Sequence, residues 1–137
     1  MSLARIIARA RRFAYREEYD HFSVWKKLSF PNRPTEREVA IYQKFIAQDR
    51  RQDANLLILG ATPELRDLTA FLGIKPVLVD ISPRMLWGML RLTKQLDATK
   101  EVWVKSDWLQ APLPENFFDI IIGDLSLRYS ILLPNTV

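Results

Sequence analysis

The sequence predicts an α/β fold, a doubly wound and mostly parallel sheet of about four strands with helices at its N-terminal end. Three observations predict it. From residue 55 onward, apolar runs of four to six residues alternate with helical stretches of ten or so, the rhythm of a sheet covered on both faces. The run Asn55-Leu56-Leu57-Ile58-Leu59 stops at Gly60, and Val77-Leu78-Val79-Asp80 ends in a carboxylate twenty residues later, the layout of a nucleoside-binding βαβ unit. Thr62-Pro63 and Ser82-Pro83 each place an N-cap residue before a proline at the first helical position, where its missing N–H costs nothing.

Taken in order, Leu3, Ile6, Ile7, Ala10 and Phe13 share one helical face while Arg5, Arg9, Arg12 and Arg16 share another, so the first sixteen residues read as an amphipathic basic helix. Phe22, Val24, Trp25, Leu28 and Phe30 then bring an aromatic cluster to the turn Pro31-Asn32-Arg33-Pro34. Thr35 with Glu38 three residues on has the form of a capping box and opens a helix over about 35–49. Strands are expected at about 55–59, 76–80, 101–105 and 118–123, with helices at about 63–72 and 83–96. Right-handed crossovers order the strands 3-2-1-4, so a ligand is expected where strands one and four part. Gly60, Asp80, Asp107 and Asp124 all fall on that edge. Residues 1–50 form an N-terminal helical segment and 51–137 the sheet domain.

At 137 residues, 48% hydrophobic and 26% charged, the chain has room for one core. No run approaches the roughly 18 apolar residues of a membrane span, and the Arg-rich start lacks the apolar segment of a secretory signal, so a cytoplasmic location is expected. The absence of cysteine and the single His21 exclude disulfides, Cys-based zinc sites, thiol nucleophiles and histidine pairs, and no metal is expected. Chemistry must lean on a cofactor or on carboxylates. The net charge of +4 is all N-terminal: residues 1–54 hold 12 Lys/Arg against 7 Asp/Glu, and residues 55–137 hold 8 against 9. Such a surplus fits a solvated basic helix, or a contact with nucleic acid or an acidic surface.

Gly60 lets the backbone approach a ligand because no Cβ intervenes, and the helix that follows offers free N–H groups to an anion. The plainer reading is a strand-to-helix turn. Ala61 and Thr62 stand where a Gly-x-Gly-x-x-Gly loop would have further glycines, which speaks against a dinucleotide oxidoreductase. Asp80 has two acceptor oxygens that can take both hydroxyl protons of a ribose diol; alternatively it ends a strand and caps the helix at Ser82-Pro83.

The segments Gly60-Ala61-Thr62-Pro63-Glu64-Leu65, Val79 to Leu86, Ser106-Asp107-Trp108-Leu109 with Pro112 and Pro114, and Phe118 to Asp124 follow the lead-in Pro31 to Pro34. In order and spacing they resemble the class I S-adenosylmethionine-dependent methyltransferases, in a subgroup with a Gly-Ala-Thr-Pro-Glu-Leu first loop. The resemblance spans about residues 31–128. It implies a Rossmann-like domain, S-adenosylmethionine as cofactor and transfer of its methyl group to an acceptor that the sequence does not identify. It implies Gly60, Ala61 and Thr62 beside the methionine part, Asp80 on the ribose, and Ile81 against the adenine. Asp107 would accept from the adenine amino group, Trp108 would cover the ring, and Asp124 would sit near the sulfonium with a cofactor amine or an acceptor proton as its partner. The plainer readings are core packing for Ile81 and Trp108 and a solvated loop acid for Asp107. Glu64 either reaches the cofactor's amino group or simply favours the helix dipole. His21 and Tyr129 are acceptor-site groups by chemistry alone. No protein nucleophile is required, since the cofactor carries the hard chemistry and the protein supplies alignment.

The family fold continues past Asp124 through further helices, a fifth strand and a hairpin, whereas only Leu125 to Val137 remain, so a C-terminally truncated, incomplete methyltransferase is expected. Its fourth strand would leave an apolar edge open to self-association, and Ile131-Leu132-Leu133-Pro134 is too short and proline-bearing to replace a strand. The competing class is a non-catalytic interaction module whose basic N-terminal helix binds nucleic acid or an acidic surface, with the sheet as scaffold.

Overall fold

A computed structural model describes residues 21–28, 32–49, 53–94 and 97–124. The basic helix expected at the N-terminus, Tyr129 and the 131–134 segment lie outside the described residues, as do the side chains of His21, Phe22 and Val24. Two helices, α1 (His21–Lys27) and α2 (Glu36–Gln48), precede β1 (Leu56–Leu59), α3 (Pro63–Phe71), β2 (Val77–Asp80) and α4 (Pro83–Gly88). Two 3-10 turns, Met89–Leu92 and Ala98–Lys100, lead to β3 (Val102–Lys105), and β4 (Ile120–Ile122) closes the order. All strands run parallel in the order β3-β2-β1-β4, with Leu57 opposite Val77 and Ile121, and Val79 opposite Val104. The architecture is the expected α/β, Rossmann-like sheet with N-terminal helices.

Each element follows from local chemistry. β1 is wholly apolar and Leu56, Leu57 and Ile58 are buried, as a central strand of a parallel sheet requires. Leu56, Ile58, Ile120 and Ile122 pack with Ile46, Leu65, Leu68, Leu86 and Met89 to form the core. α2 opens on the expected capping box: the Glu38 N–H donates to Thr35 Oγ1 at 3.3 Å and the Thr35 N–H to Glu38 Oε2 at 2.7 Å. Ser82 likewise caps α4, accepting from the Met85 N–H at 3.3 Å.

Two local expectations are corrected. Thr62 stands at the N-cap of α3 but its side chain makes no capping bond; the turn is set by the fixed φ of Pro63 and by the Arg66 N–H donating to the Thr62 carbonyl at 3.1 Å. The helix expected over 83–96 stops being α-helical at Gly88, tightens into the 3-10 turn and ends at Thr93, which is extended (φ −77, ψ 149). Glycine weakens the helix there, the Thr93 hydroxyl bonds back to the Leu90 carbonyl at 2.7 Å, and the Asp67 carboxylate on α3 takes the Lys94 N–H at 2.9 Å, diverting the chain.

A buried ion pair ties three elements together. Arg66 on α3 and Glu101 before β3 have no exposed side-chain surface, and their bonds measure 2.9 Å (Nε to Oε1) and 2.7 Å (Nη2 to Oε2). Arg66 Nη1 also donates to the Leu86 carbonyl on α4 at 2.9 Å, and Trp103 Nε1 on β3 donates to Glu101 Oε2 at 2.7 Å. At the opposite edge, β4 is led in by a polar clamp. The Asn55 N–H donates to Asp119 Oδ2 at 2.9 Å, the Asp119 N–H returns to the Asn55 carbonyl at 2.9 Å, and Asn55 Nδ2 donates to the Phe117 carbonyl at 3.2 Å. The outer edge of β4 pairs with no strand among the described residues, and Ile121 on it is 56% exposed.

Candidate functional site

The carboxyl ends of β1 and β2 bring three of the sequence-predicted residues together. Gly60 leaves β1 with φ +107, a conformation that glycine alone adopts without strain, and its N–H donates to the Val79 carbonyl at 2.8 Å. A Cβ built on Gly60 would lie 3.8 Å from Trp108 Cζ2 and 4.0 Å from Asp80 Oδ2, ordinary contact distances. It is the backbone conformation, more than crowding, that calls for glycine.

Asp80 is 7% exposed. Its Oδ1 accepts the Ser82 N–H at 2.8 Å, and its carbonyl accepts the Ser106 N–H at 3.1 Å, tying the loop after β3 to β2. Burial pushes its carboxyl up to about 6, opposed by the Ser82 N–H, the positive charge of Arg66 and the Ile81 N–H. A buried carboxylate that titrates this high, at a strand end facing a glycine turn, is the type of group that functional sites retain. Ala61 and Thr62 are buried and Ile81 is half-buried. Asp107 is half-buried and its Oδ1 accepts the Leu109 N–H at 3.0 Å, closing the loop that carries Trp108.

A second group of acids gathers at the end of β4. Burial, then the charges of Glu38 and Glu64, push Asp124 up to about 6. Tyr42 donates its hydroxyl to the Gly123 carbonyl at 3.0 Å, and burial followed by Asp124 and Glu38 raises its phenol. Glu64 Oε1 pairs with Arg33 Nε, whose Nη1 reaches the Trp25 carbonyl at 3.4 Å. Glu64 Oε2 is buried with no hydrogen-bond partner among the described residues. Sequence reasoning placed Asp124 and Glu64 here. It missed Tyr42 and Arg33, and it read Glu38 only as a cap. Only the i, i+4 spacing of Glu38 and Tyr42 on one helical face hints at this shared position.

A groove of about 480 Å³ lies between α2 and the β1–β4 pair, lined by Ile41, Phe45, Leu59 and Ile122, with Glu38 and Tyr42 as its polar side chains. Gly60 and Asp80 do not line it; beside Gly60, Trp108 Nε1 donates to the Val79 carbonyl at 2.7 Å. Among the described residues no group of three or more potential ligands gathers for a metal, and no helix is long and apolar enough to cross a membrane. No family model, curated protein or solved structure matches the chain.

Proposed function

We propose that the chain carries the cofactor half-site of an S-adenosylmethionine-dependent methyltransferase. One observation carries the reading. At the crevice where a doubly wound sheet takes its ligand, a buried strand-end carboxylate, Asp80, lies against a glycine turn of positive φ, beside the indole of Trp108.

The residues present fit such a cofactor. Asp80 has Oδ2 directed toward Gly60, an acceptor suited to ribose hydroxyls once ionised. Gly60 brings bare backbone to the start of α3, whose first-turn N–H groups suit a carboxylate. At the β4 end, the orphaned Glu64 Oε2 and the acid Asp124 suit an ammonium group. Asp107 and Ile81 are the residues that this reading assigns to recognising and packing the adenine. When bound, the cofactor would supply a methyl group on a sulfonium, the chemistry being displacement by an acceptor lone pair with a neutral thioether as the leaving group. In this reading the chain's own residues orient and exclude water, and the partner of Asp124 is either a cofactor amine or the acceptor's proton. Since Asp80 titrates at about 6, binding through its carboxylate is expected above that pH and weakens as pH falls through it.

The test is calorimetric titration of the chain and of Asp80→Ala with S-adenosylmethionine. Hydrogen bonds to a charged acceptor contribute enough that the variant should bind about 10- to 100-fold more weakly. Equal binding in both would remove Asp80 from the site and the reading with it.

A further inference from the structure

We propose that the groove between α2 and the β1–β4 pair binds a second small molecule, an amphipathic amine whose ammonium lies at the Glu38 and Tyr42 end and whose hydrocarbon body lies along the apolar wall. Neither Gly60 nor Asp80 lines it, so it fills independently of the nucleoside slot. Its volume of about 480 Å³ falls within the range of roughly 300–1,000 Å³ that small-molecule sites occupy, and such sites pair mostly apolar walls with a few polar groups that fix orientation. Here the wall is Ile41 and Phe45 from α2, Leu59 from the end of β1, and Ile121 from β4. Ile41, Phe45 and Ile121 are all exposed, so an apolar body laid over them removes hydrocarbon from water.

The other end of the groove decides the head group. Glu38 and Tyr42 stand one helical turn apart on α2, and no described residue lining the groove is basic. Tyr42 donates its hydroxyl hydrogen to the Gly123 carbonyl at 3.0 Å, which leaves the phenol oxygen as an acceptor. Glu38 Oε2 is committed to the Thr35 N–H and hydroxyl at 2.7 and 3.1 Å, so Oε1 is the oxygen that a ligand would meet. Asp124 follows Gly123 directly, and its charge acts on Tyr42 together with that of Glu38. Neither Glu38 nor Asp124 forms an ion pair among the described residues, whereas Glu64 is matched by Arg33. Burial and the charges of Glu38 and Glu64 push Asp124 toward its protonated form, a repulsion that a cation placed here relieves. An ammonium brings three donors and no acceptor to this set of oxygens. An anionic head group would be repelled, and an alcohol would leave the carboxylates without a counter-charge.

Three probes that share one hydrocarbon body separate the head group from the wall: 4-phenylbutylamine, 4-phenylbutanol and 4-phenylbutyrate. Each is titrated into the full chain at pH 7.5 without cofactor, by calorimetry for affinity and by amide NMR shifts for location. The amine should bind about 3- to 10-fold more tightly than the alcohol, the range that a partly exposed ion pair commands, and the butyrate should bind most weakly. Glu38→Gln removes the charge and keeps the capping box, since glutamine serves at that position. It and Asp124→Asn should each bring the amine down toward the alcohol and leave the alcohol unchanged. Phe45→Ala, at an exposed position, should weaken amine and alcohol alike. An alcohol that binds as tightly as the amine, or amine affinity unmoved by both charge substitutions, overturns the ammonium assignment. Shifts confined to residues away from α2 and β4, or affinities unmoved by Phe45→Ala, overturn the groove. Absence of amine binding up to about 10 mM overturns the proposal outright. Far-UV circular dichroism identifies any variant that fails to fold, and the three probes on the wild type decide the head group without a variant. No nucleoside enters this experiment, so its failure leaves the role of Asp80 standing, and equal S-adenosylmethionine binding by Asp80→Ala leaves the groove standing.

Discussion

Asp80→Asn should make the protein more stable at neutral pH and worse at binding, and the pH dependence of that gain is calculable. The folded-state carboxyl is raised from 3.8 to about 6, chiefly by burial. The folded chain therefore holds the proton more tightly than the unfolded chain does. At 1.36 kcal/mol per unit, the ionised form costs about 3 kcal/mol of stability above pH 6, a cost that shrinks between about pH 6 and 4 and vanishes below the unfolded value. Asparagine carries no charge to bury, but its amide hydrogens add a desolvation cost of about 1–3 kcal/mol if they stay unpaired. That offset is the same at every pH. The stability difference between variant and wild type should thus move in the variant's favour by about 2 kcal/mol from pH 4 to pH 7.5, measured by urea unfolding with far-UV circular dichroism at intermediate steps. Asp124 titrates in the same window, but both proteins contain it and it cancels to first order. A difference flat across that range would mean that the carboxylate is solvated in the folded protein, and the argument from burial would fail.

Two further substitutions probe the frame that holds the site. Arg66→Met or Glu101→Met should each cost about 3–5 kcal/mol in urea unfolding, because the partner charge stays buried; the double variant should recover part of the loss, and strictly additive losses would show that the two charges are not coupled. Gly60→Ala should cost about 1–3 kcal/mol from backbone strain at φ +107, since its Cβ would meet no atom closer than 3.8 Å; a loss below about 0.5 kcal/mol would show that the turn relaxes freely.

The sheet was legible because its signals are local and repeated. Apolar runs ending at Gly60 and Asp80, and prolines at 63 and 83, fix where strands stop and helices start, and right-handed crossover does the rest. The end of α4 was not legible, because it is decided by Asp67 catching the Lys94 N–H across 27 residues of chain. The proximity of Gly60 and Asp80 follows from strand order alone. The placement of the indole does not: nothing in Ser106-Asp107-Trp108 says that Nε1 will choose the Val79 carbonyl on a neighbouring strand. The Arg66–Glu101 pair was invisible for the same reason, since charged residues in sequence read as surface until packing encloses them.

The clamp between Asn55 and Asp119 has a consequence for β4. Three isoleucines in a row put an apolar side chain on both faces of β4, so hydrophobic patterning within the strand marks its alignment with β1 only weakly. Alignment is decided instead by the two polar residues just upstream, which lock before the strand begins. The position of Gly123 and Asp124 at the far end is thereby set by a carboxylate and an amide at the near end, one strand-length away.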